Sequence, residues 1–223
     1  IVVDISGSMG CLFDNDMGPS SSRYQSSSSS NQNQTKLEVA KKCIQAIASQ
    51  LCPQDELGVI TFNTSSQTIE SLSHMGNSTS SSSSSITRKY NRLIKKLSNV
   101  RPCGGTTLAQ GFKSGIDMLN DAAAESNHDN GGGRSKKKNK INEQNKNNKR
   151  VVISRVVFLT DMQSGQHDED LVLKFAKDAA NQVPNSVEGN VFTTILGIGV
   201  DLRYTLLWYT LCLHVYVCLI LSF

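Results

Sequence analysis

The sequence predicts an α/β domain built on a doubly wound, mostly parallel sheet with helices on both faces. Short apolar runs with the composition of buried strands recur along the 223 residues, and segments with helical spacing of apolar residues separate them. Strands that alternate with helices form right-handed crossovers, which give a parallel sheet covered on both faces. The length fits a single domain with insertions, since domains typically run about 100–200 residues.

The first half of the chain supplies three predicted strands and two predicted helices. In the first helix, Leu37, Ala40 and Ile44 recur at helical spacing, and the helix ends before Pro53 because the residue before a proline disfavours helical backbone. We expect the strands at residues 1–5, 57–62 and 67–72, and the helices at residues 36–51 and 86–97.

The second half continues the alternation of helices and strands. A helix runs through Met118 and Ala124, and the strongly apolar residues 151–160 form the next strand. A helix at residues 168–183 and a strand at residues 191–199 follow. We expect the C-terminal part of the fold to be incomplete, because the helical and strand pattern of the domain stops near residue 202.

Three low-complexity insertions interrupt the predicted domain, which spans residues 1–202. They lie at about residues 14–34, 76–85 and 126–150, and are rich in Ser, Asn, Gln, Gly or Lys. Residues 134–150 carry a net charge of +7, whereas the whole chain carries +4, so the remainder carries −3. The mildly acidic remainder argues against a nucleic-acid-binding face on the domain.

The tail at residues 203–223 leaves three interpretations open. Residues 204–223 contain no Asp, Glu, Lys or Arg and are long enough to span a hydrocarbon core of about 30 Å. A truncated or misjoined chain end is the second interpretation. The third is a core helix followed by a strand, because Val215, Val217 and Leu219 alternate.

Three predicted strand ends and loops carry oxygen-bearing side chains. Asp4, Ser6 and Ser8 follow the first strand, Thr106 lies in a glycine-rich loop, and Asp161 ends the strand at residues 151–160. In an open parallel sheet, ligands bind at the carboxyl ends of the strands where the strand order reverses. Hydroxyl and carboxylate oxygens suit a hard cation, foremost Mg²⁺, with Mn²⁺ or Ca²⁺ as alternatives.

This combination resembles the metal-ion-dependent adhesion site of von Willebrand factor type A domains, which have a Rossmann-like fold. The family pattern is D-x-S-x-S, a threonine in a later glycine-rich loop, and an aspartate that ends an apolar strand. The resemblance covers about residues 1–202 and extends to the KLEVAKK and DELGVITFN segments. Five matches in the right order are specific, whereas D-x-S-x-S alone arises readily in a serine-rich chain.

The resemblance implies a role for each candidate residue. Ser6, Ser8 and Thr106 would bind the cation through their hydroxyls, and Asp4 and Asp161 through water or hydrogen bonds around it. Neutral hydroxyl ligands would leave the cation open to a carboxylate from a partner protein. The resemblance therefore implies a protein-interaction or adhesion module and no enzyme activity. Thr107 replaces Thr106 if the register of the loop differs by one residue.

Alternatives remain open at the level of single residues and of the whole chain. Ser6 and Ser8 are also suited to cap a turn, and Asp161 to cap the following segment. Met162 stands where the family usually has glycine, and we expect it to crowd the metal loop. The first insertion would lie at the rim of the site, where Asp14 or Asp16 comes within reach of the cation.

Two further classes compete with the adhesion module. The chain could be the non-catalytic type A module of a larger protease, ubiquitin ligase or channel-associated protein, or a membrane-tethered adhesion fragment that uses residues 204–223. The sequence leaves the compartment open between cytoplasmic, membrane-associated and extracellular.

Overall fold

The computed structural model describes residues 1–13, 34–76, 83–128, 153–181, 191–199 and 215–220. Within these ranges, strands form one sheet that helices flank. The strands are β1 (Val2–Asp4), β2 (Glu56–Phe62), β3 (Ser66–His74), β4 (Ser154–Thr160), β5 (Val191–Ile198) and β6 (Val215–Ile220). The helices are α1 (Lys36–Gln50), α2 (Ser83–Ser98), α3 (Leu108–His128) and α4 (Gln166–Asn181).

The strand order β3-β2-β1-β4-β5-β6 confirms the predicted doubly wound, mostly parallel sheet. β3 alone among these strands is antiparallel to its neighbour, β2. Only residues 63–65 separate β2 from β3, and so short a connection permits a hairpin but no crossover. The strand order reverses between β1 and β4, which are direct neighbours in the sheet.

Alternating residues of the central strands build a separate apolar core on each face of the sheet. Val2 and Phe158 belong to the cluster that includes residues of α3 and α4. Their neighbours Val3 and Leu159 belong to the cluster that includes residues of α1 and α2. The period of two within each strand therefore supplies both faces, as expected for a sheet covered by helices on both sides.

Aromatic packing fixes α3 closely against the sheet. The rings of Phe62 and Phe158 stack with centroids 5.0 Å apart, and the ring of Phe112 meets that of Phe158 edge-on at 5.9 Å. A Cβ atom at Gly111 would fall on the ring of Phe62. Glycine at this position in α3 therefore permits the close approach of helix and strand.

Several sequence predictions lie outside the described residues. These include residues 14–33, 77–82 and 129–150 of the three expected insertions, with Asp14 and Asp16 in the first of them, and residues 203–214 and 221–223 of the tail. α2 begins at Ser83, within the serine run, and α3 continues to His128, within the third expected insertion.

The described part of the tail is a strand. Residues 215–220 form β6, which pairs in parallel with β5 from Thr193↔Val215 to Ile198↔Ile220. A strand in this part of the tail is what the third interpretation expected. Among the helices of the described residues, none combines the length and the apolarity needed to cross a membrane.

Candidate functional site

The candidate site lies at the carboxyl ends of β1 and β4, where the strand order reverses. Asp4 is the last residue of β1, Thr160 is the last residue of β4, and Asp161 follows directly. β1 is buried throughout and β4 is buried at residues 158–160, so the buried polar residues of this region begin at the last residue of each strand. The position is the one at which open α/β sheets bind ligands.

Asp4 is completely buried and accepts hydrogen bonds on both carboxylate oxygens. Its Oδ1 accepts the backbone N–H of Ser6 at 2.8 Å, and its Oδ2 accepts the hydroxyl of Thr160 at 2.8 Å. The Thr160 oxygen in turn accepts the backbone N–H of Met162 at 2.9 Å. Asp4 thereby ties the loop after β1 to the loop after β4.

The buried position of Asp4 makes its negative charge unfavourable. The pKa of the Asp4 carboxyl is raised to about 6, mainly by burial and to a smaller extent by the negative charge of Asp161. The hydrogen bonds from Ser6 and Thr160 lower the pKa but do not compensate for the burial. A cation beside Asp4 would relieve this unfavourable charge.

Asp161 forms a buried ion pair with Lys36, the first residue of α1. The Lys36 Nζ lies 3.4 Å from Asp161 Oδ2, and each side chain is 1% exposed. Asp161 Oδ1 is buried and has no hydrogen-bond partner among the described residues. A buried carboxylate oxygen without a partner is costly, which makes it a candidate for an interaction with a cation or a water molecule.

The hydroxyls of Ser6 and Ser8 lie side by side in the loop after β1. Residues 7–10 form a short 3₁₀ turn, Ser6 is buried, and Ser8 is partly exposed. Their Oγ atoms are 3.1 Å apart. Ligands that occupy adjacent positions around an octahedral Mg²⁺ at about 2.1 Å are about 3 Å apart, so this pair fits a magnesium ion.

The loop that carries Thr106 and Thr107 packs against the loop after β1. The N–H of Gly7 donates to the carbonyl of Gly104 at 2.9 Å, and the N–H of Cys103 donates to the carbonyl of Ile5 at 2.7 Å. Gly104 has a φ of 76°, which glycine adopts readily. The two loops are therefore adjacent.

In the part of the chain that the structure describes, backbone hydrogen bonds, and not side-chain hydrogen bonds, hold the threonine loop beside the serines. Thr106 and Thr107 are both half-buried, and the N–H of Thr107 donates to the carbonyl of Asn63 at 2.9 Å. Among the described residues, the Thr106 hydroxyl forms no hydrogen bond with Asp4, Ser6 or Ser8. The structure thus brings Asp4, Ser6 and Ser8 into one hydrogen-bonded group and places the Thr106 loop beside it.

Met162 takes the backbone conformation that the expected glycine would take. Its φ is 56°, in the left-handed region that is uncommon for residues other than glycine. Its side chain is buried in the apolar cluster on the α3 and α4 face of the sheet. The methionine side chain is thus part of the core and not of the exposed surface.

Asp168, which the sequence reasoning did not single out, caps α3. Its carboxylate accepts the N–H groups of Leu108 and Ala109 at 2.5 and 3.0 Å. These are the first residues of α3, directly after the Thr106 loop, and a carboxylate at a helix N-terminus also interacts favourably with the helix dipole. No sequence signal points to this contact, because Asp168 belongs to α4.

Lys36 and Thr160 were also missed as parts of the site. A signal for Lys36 exists: it continues the buried stripe of Ala40, Ile44 and Ala48 toward the start of α1 at a spacing of four residues. A lysine on a buried stripe requires a buried acidic partner. Thr160 ends a strand whose preceding residues are apolar, which places its hydroxyl next to the end of β1.

The donor set is a mixture of hydroxyls and carboxylates. Within the part of the chain that the structure describes, no group of three or more His, Cys, Asp or Glu side chains could hold a metal ion. Two buried carboxylates and neighbouring hydroxyls nevertheless provide oxygen ligands of the kind that hard cations prefer.

Comparisons with known proteins identify relatives of this fold. A family model described as the von Willebrand factor type A domain matches residues 1–166. A von Willebrand factor type A structure from Catenulispora acidiphila covers 99% of the chain at 14% identity and a TM-score of 0.59. The conserved hypothetical protein BatB from Bacteroides thetaiotaomicron covers 98% of the chain at 15% identity and a TM-score of 0.55.

A third structure carries a metal. The manganese-loaded TRAP protein of Plasmodium vivax covers 95% of the chain at 16% identity, with a TM-score of 0.54. The chain spans 38% of the Catenulispora acidiphila chain, 87% of BatB and 61% of TRAP. No curated protein sequence matches the chain.

Proposed function

Because the chain belongs to the von Willebrand factor type A domain family, we propose that it binds a divalent cation and, through it, a carboxylate of a partner protein. Domains of this family often serve as adhesion or protein-interaction modules. The proposed cation ligands are the hydroxyls of Ser6, Ser8 and Thr106, with Asp4 and Asp161 acting through water or hydrogen bonds. Mg²⁺ is the proposed ion, with Mn²⁺ and Ca²⁺ as alternatives.

One observation carries the proposal: two buried carboxylates lie at the strand-order reversal without enough positive charge to balance them. Asp4 is completely buried, and its pKa is raised to about 6. Asp161 has one buried oxygen without a hydrogen-bond partner among the described residues. A dication between these groups would neutralise the charge that burial makes costly.

The chemistry of the ligands favours recognition over catalysis. The Ser6 hydroxyl is paired with that of Ser8, and a serine nucleophile would require a neighbouring base instead. Neutral hydroxyls donate little charge to a cation, so a bound ion would attract an anionic group from outside. A glutamate or aspartate side chain of a partner supplies such a group. We therefore infer a non-catalytic module.

The sheet topology also supports a proposal about the extent of the domain and the position of the lysine-rich insertion. We propose that residues 1–202 form the type A domain, with β6 of the tail paired at the edge of its sheet, and that the lysine-rich insertion at residues 126–150 is remote from the cation. α3 begins beside the Thr106 loop and β4 ends at Thr160, next to Asp161, so the other ends of these two elements, His128 and Ser154, lie toward the opposite edge of the sheet. The positive charge of that insertion would then not affect cation binding at short range.

A thermal denaturation experiment tests cation binding. Millimolar Mg²⁺ should raise the melting temperature of the protein, since a ligand at 100 times its dissociation constant stabilises the folded state by about 2.7 kcal/mol. The double variant Asp4→Ala/Ser6→Ala should lose this shift. The control Ser49→Ala/Asp117→Ala removes two exposed side chains of the same types and should keep it. An equal shift in the two double variants, or none in the wild type, would overturn the proposal.

Partner recognition needs a separate measurement. An immobilised peptide array that contains acidic peptides and their Asn/Gln counterparts should retain the protein in Mg²⁺ but not in EDTA, and only on the acidic members. Retention of the protein in EDTA, or equal retention on the acidic peptides and on their amide counterparts, would contradict recognition of a carboxylate through the ion.

A further inference from the structure

We propose that Lys36 is a resident counter-charge of the cation site, which weakens divalent cation binding and leaves the loaded site with a net positive charge. The inference rests on the proposed function and adds a determinant of its affinity. Lys36 is the first residue of the KLEVAKK segment, to which the family resemblance assigned no role in cation binding. It comes from the start of α1, whereas the proposed ligands come from the loops after β1 and β4 and from the Thr106 loop.

The first step is the position of the ammonium group. Lys36 Nζ lies 3.4 Å from Asp161 Oδ2, and both side chains are 1% exposed. Long, charged side chains are almost never fully buried unless they are paired. The backbone of the same residue is held in place as well, because the N–H of Lys36 donates to the carbonyl of Cys11 at 3.0 Å. The ammonium is thus fixed beside a proposed cation-binding carboxylate.

The second step is the charge balance. Asp4 and Asp161 together supply two negative charges when ionised, and Lys36 supplies one positive charge beside Asp161. A dication would therefore enter a region that is already half neutralised and would be repelled by the ammonium. Charges act strongly on one another in a buried region, where water screens little. The cation is consequently bound more weakly than two carboxylates alone would bind it.

The third step concerns the loaded site. With the dication present, two negative and three positive charges leave a net charge of +1. This surplus exists only because Lys36 stays in place, and a partner's carboxylate neutralises it. Lys36 therefore makes binding of the cation alone less favourable and binding of the cation together with an anionic ligand more favourable.

Replacement of the lysine by a neutral side chain of similar length tests the first consequence. Lys36→Met should bind Mg²⁺ about tenfold or more tightly than the wild type, because one nearby positive charge is removed. Lys36→Arg should keep the wild-type affinity within a few-fold. Lys41→Met is the matched control on the same helix, since the Lys41 ammonium donates to the carbonyl of Val100 at 2.7 Å and not to a carboxylate of the site. Isothermal titration with Mg²⁺ and with Mn²⁺ measures the affinities.

The outcomes separate this inference from the proposed function. Absence of cation binding in the wild type and in Lys36→Met would overturn both. Binding in the wild type with equal or weaker binding in Lys36→Met would overturn the role of Lys36 alone. Tighter binding in Lys36→Met than in the wild type supports the inference. Binding in that variant only would support the repulsion by Lys36 but overturn the proposed function of the wild-type protein.

A measurement on the wild-type protein covers the case in which Lys36→Met does not fold. The side-chain ¹⁵N resonance of Lys36 should shift when Mg²⁺ is added, because the charge around its ammonium changes. The resonance of Lys41 should stay in place. Saturation with Mg²⁺ without any shift at Lys36 would refute the proposed proximity of the ion and the ammonium.

Discussion

Asp4→Asn should remove the pH dependence of stability that the buried Asp4 carboxyl imposes on the metal-free protein. The pKa of this group rises from 3.8 to about 6 because of burial. The folded state therefore binds the proton more tightly than the unfolded state. Its contribution to stability is fully present below pH 3.8 and is lost as the pH rises through 6. Two pH units at about 1.4 kcal/mol each correspond to about 3 kcal/mol.

The asparagine removes this charge but also changes one hydrogen bond. The amide oxygen of asparagine can still accept the Ser6 N–H, whereas its NH₂ group would face the Thr160 hydroxyl that now donates to Asp4 Oδ2. We expect a cost of about 1 kcal/mol for that mismatch. The variant should therefore be less stable than the wild type by about 1 kcal/mol at pH 3.5 and more stable by about 2 kcal/mol at pH 8.

Urea denaturation in EDTA at several pH values measures this difference. The unfolding free energy of the wild type should fall relative to that of Asp4→Asn between pH 4 and 7. A parallel pH dependence of the two proteins would show that Asp4 titrates normally in the folded state. That result would refute the claim that Asp4 carries an uncompensated buried charge, on which the proposed cation site depends.

The remaining predictions concern the site and its support. Mg²⁺ affinity should decrease as the pH falls below about 6, because the cation must displace the proton of Asp4; titration at pH 5 and 7.5 checks this, and equal affinities would contradict it. Asp168→Ala should lower the unfolding free energy in urea by about 1–2 kcal/mol, because α3 loses its cap. Replacement of the exposed Asp178 by alanine is the control, since Asp178 lies in α4 like Asp168 and should leave the unfolding free energy unchanged. Gly111→Ala should destabilise the protein by about 1–3 kcal/mol, because the added methyl group overlaps a core aromatic ring. Gly165→Ala, whose methyl group meets open space, is its control in the same denaturation experiment.

Periodicity was sufficient to predict the fold class because each element carries its own pattern. The apolar stripe of α1 can be read from the local sequence. So can the alternation in β1, where Val2 packs into the core on one face of the sheet and Val3 into the core on the other. The antiparallel hairpin of β2 and β3 follows from the short connection between them. The tail was ambiguous, because the alternation at Val215 and Val217 coexists with apolarity sufficient for a membrane span.

The candidate site was predictable where its parts are close in sequence. Asp4, Ser6 and Ser8 follow one strand, and the structure places them in one hydrogen-bonded group. Contacts between distant elements were not predictable in this way. Lys36 and Asp161 are 125 residues apart in sequence, and their contact depends on how α1 packs against the end of β4. Side-chain periodicity shows that such a lysine is buried but not which acid it meets.

Anomalous X-ray diffraction from a crystal of the protein grown with Mn²⁺ tests cation binding most directly. We expect a single strong peak within about 2.0–2.4 Å of the Ser6 and Ser8 hydroxyl oxygens, beside the Thr106 loop. A peak at some other place on the protein, or full Mn²⁺ saturation in solution with no peak near these two serines, would contradict the proposed site.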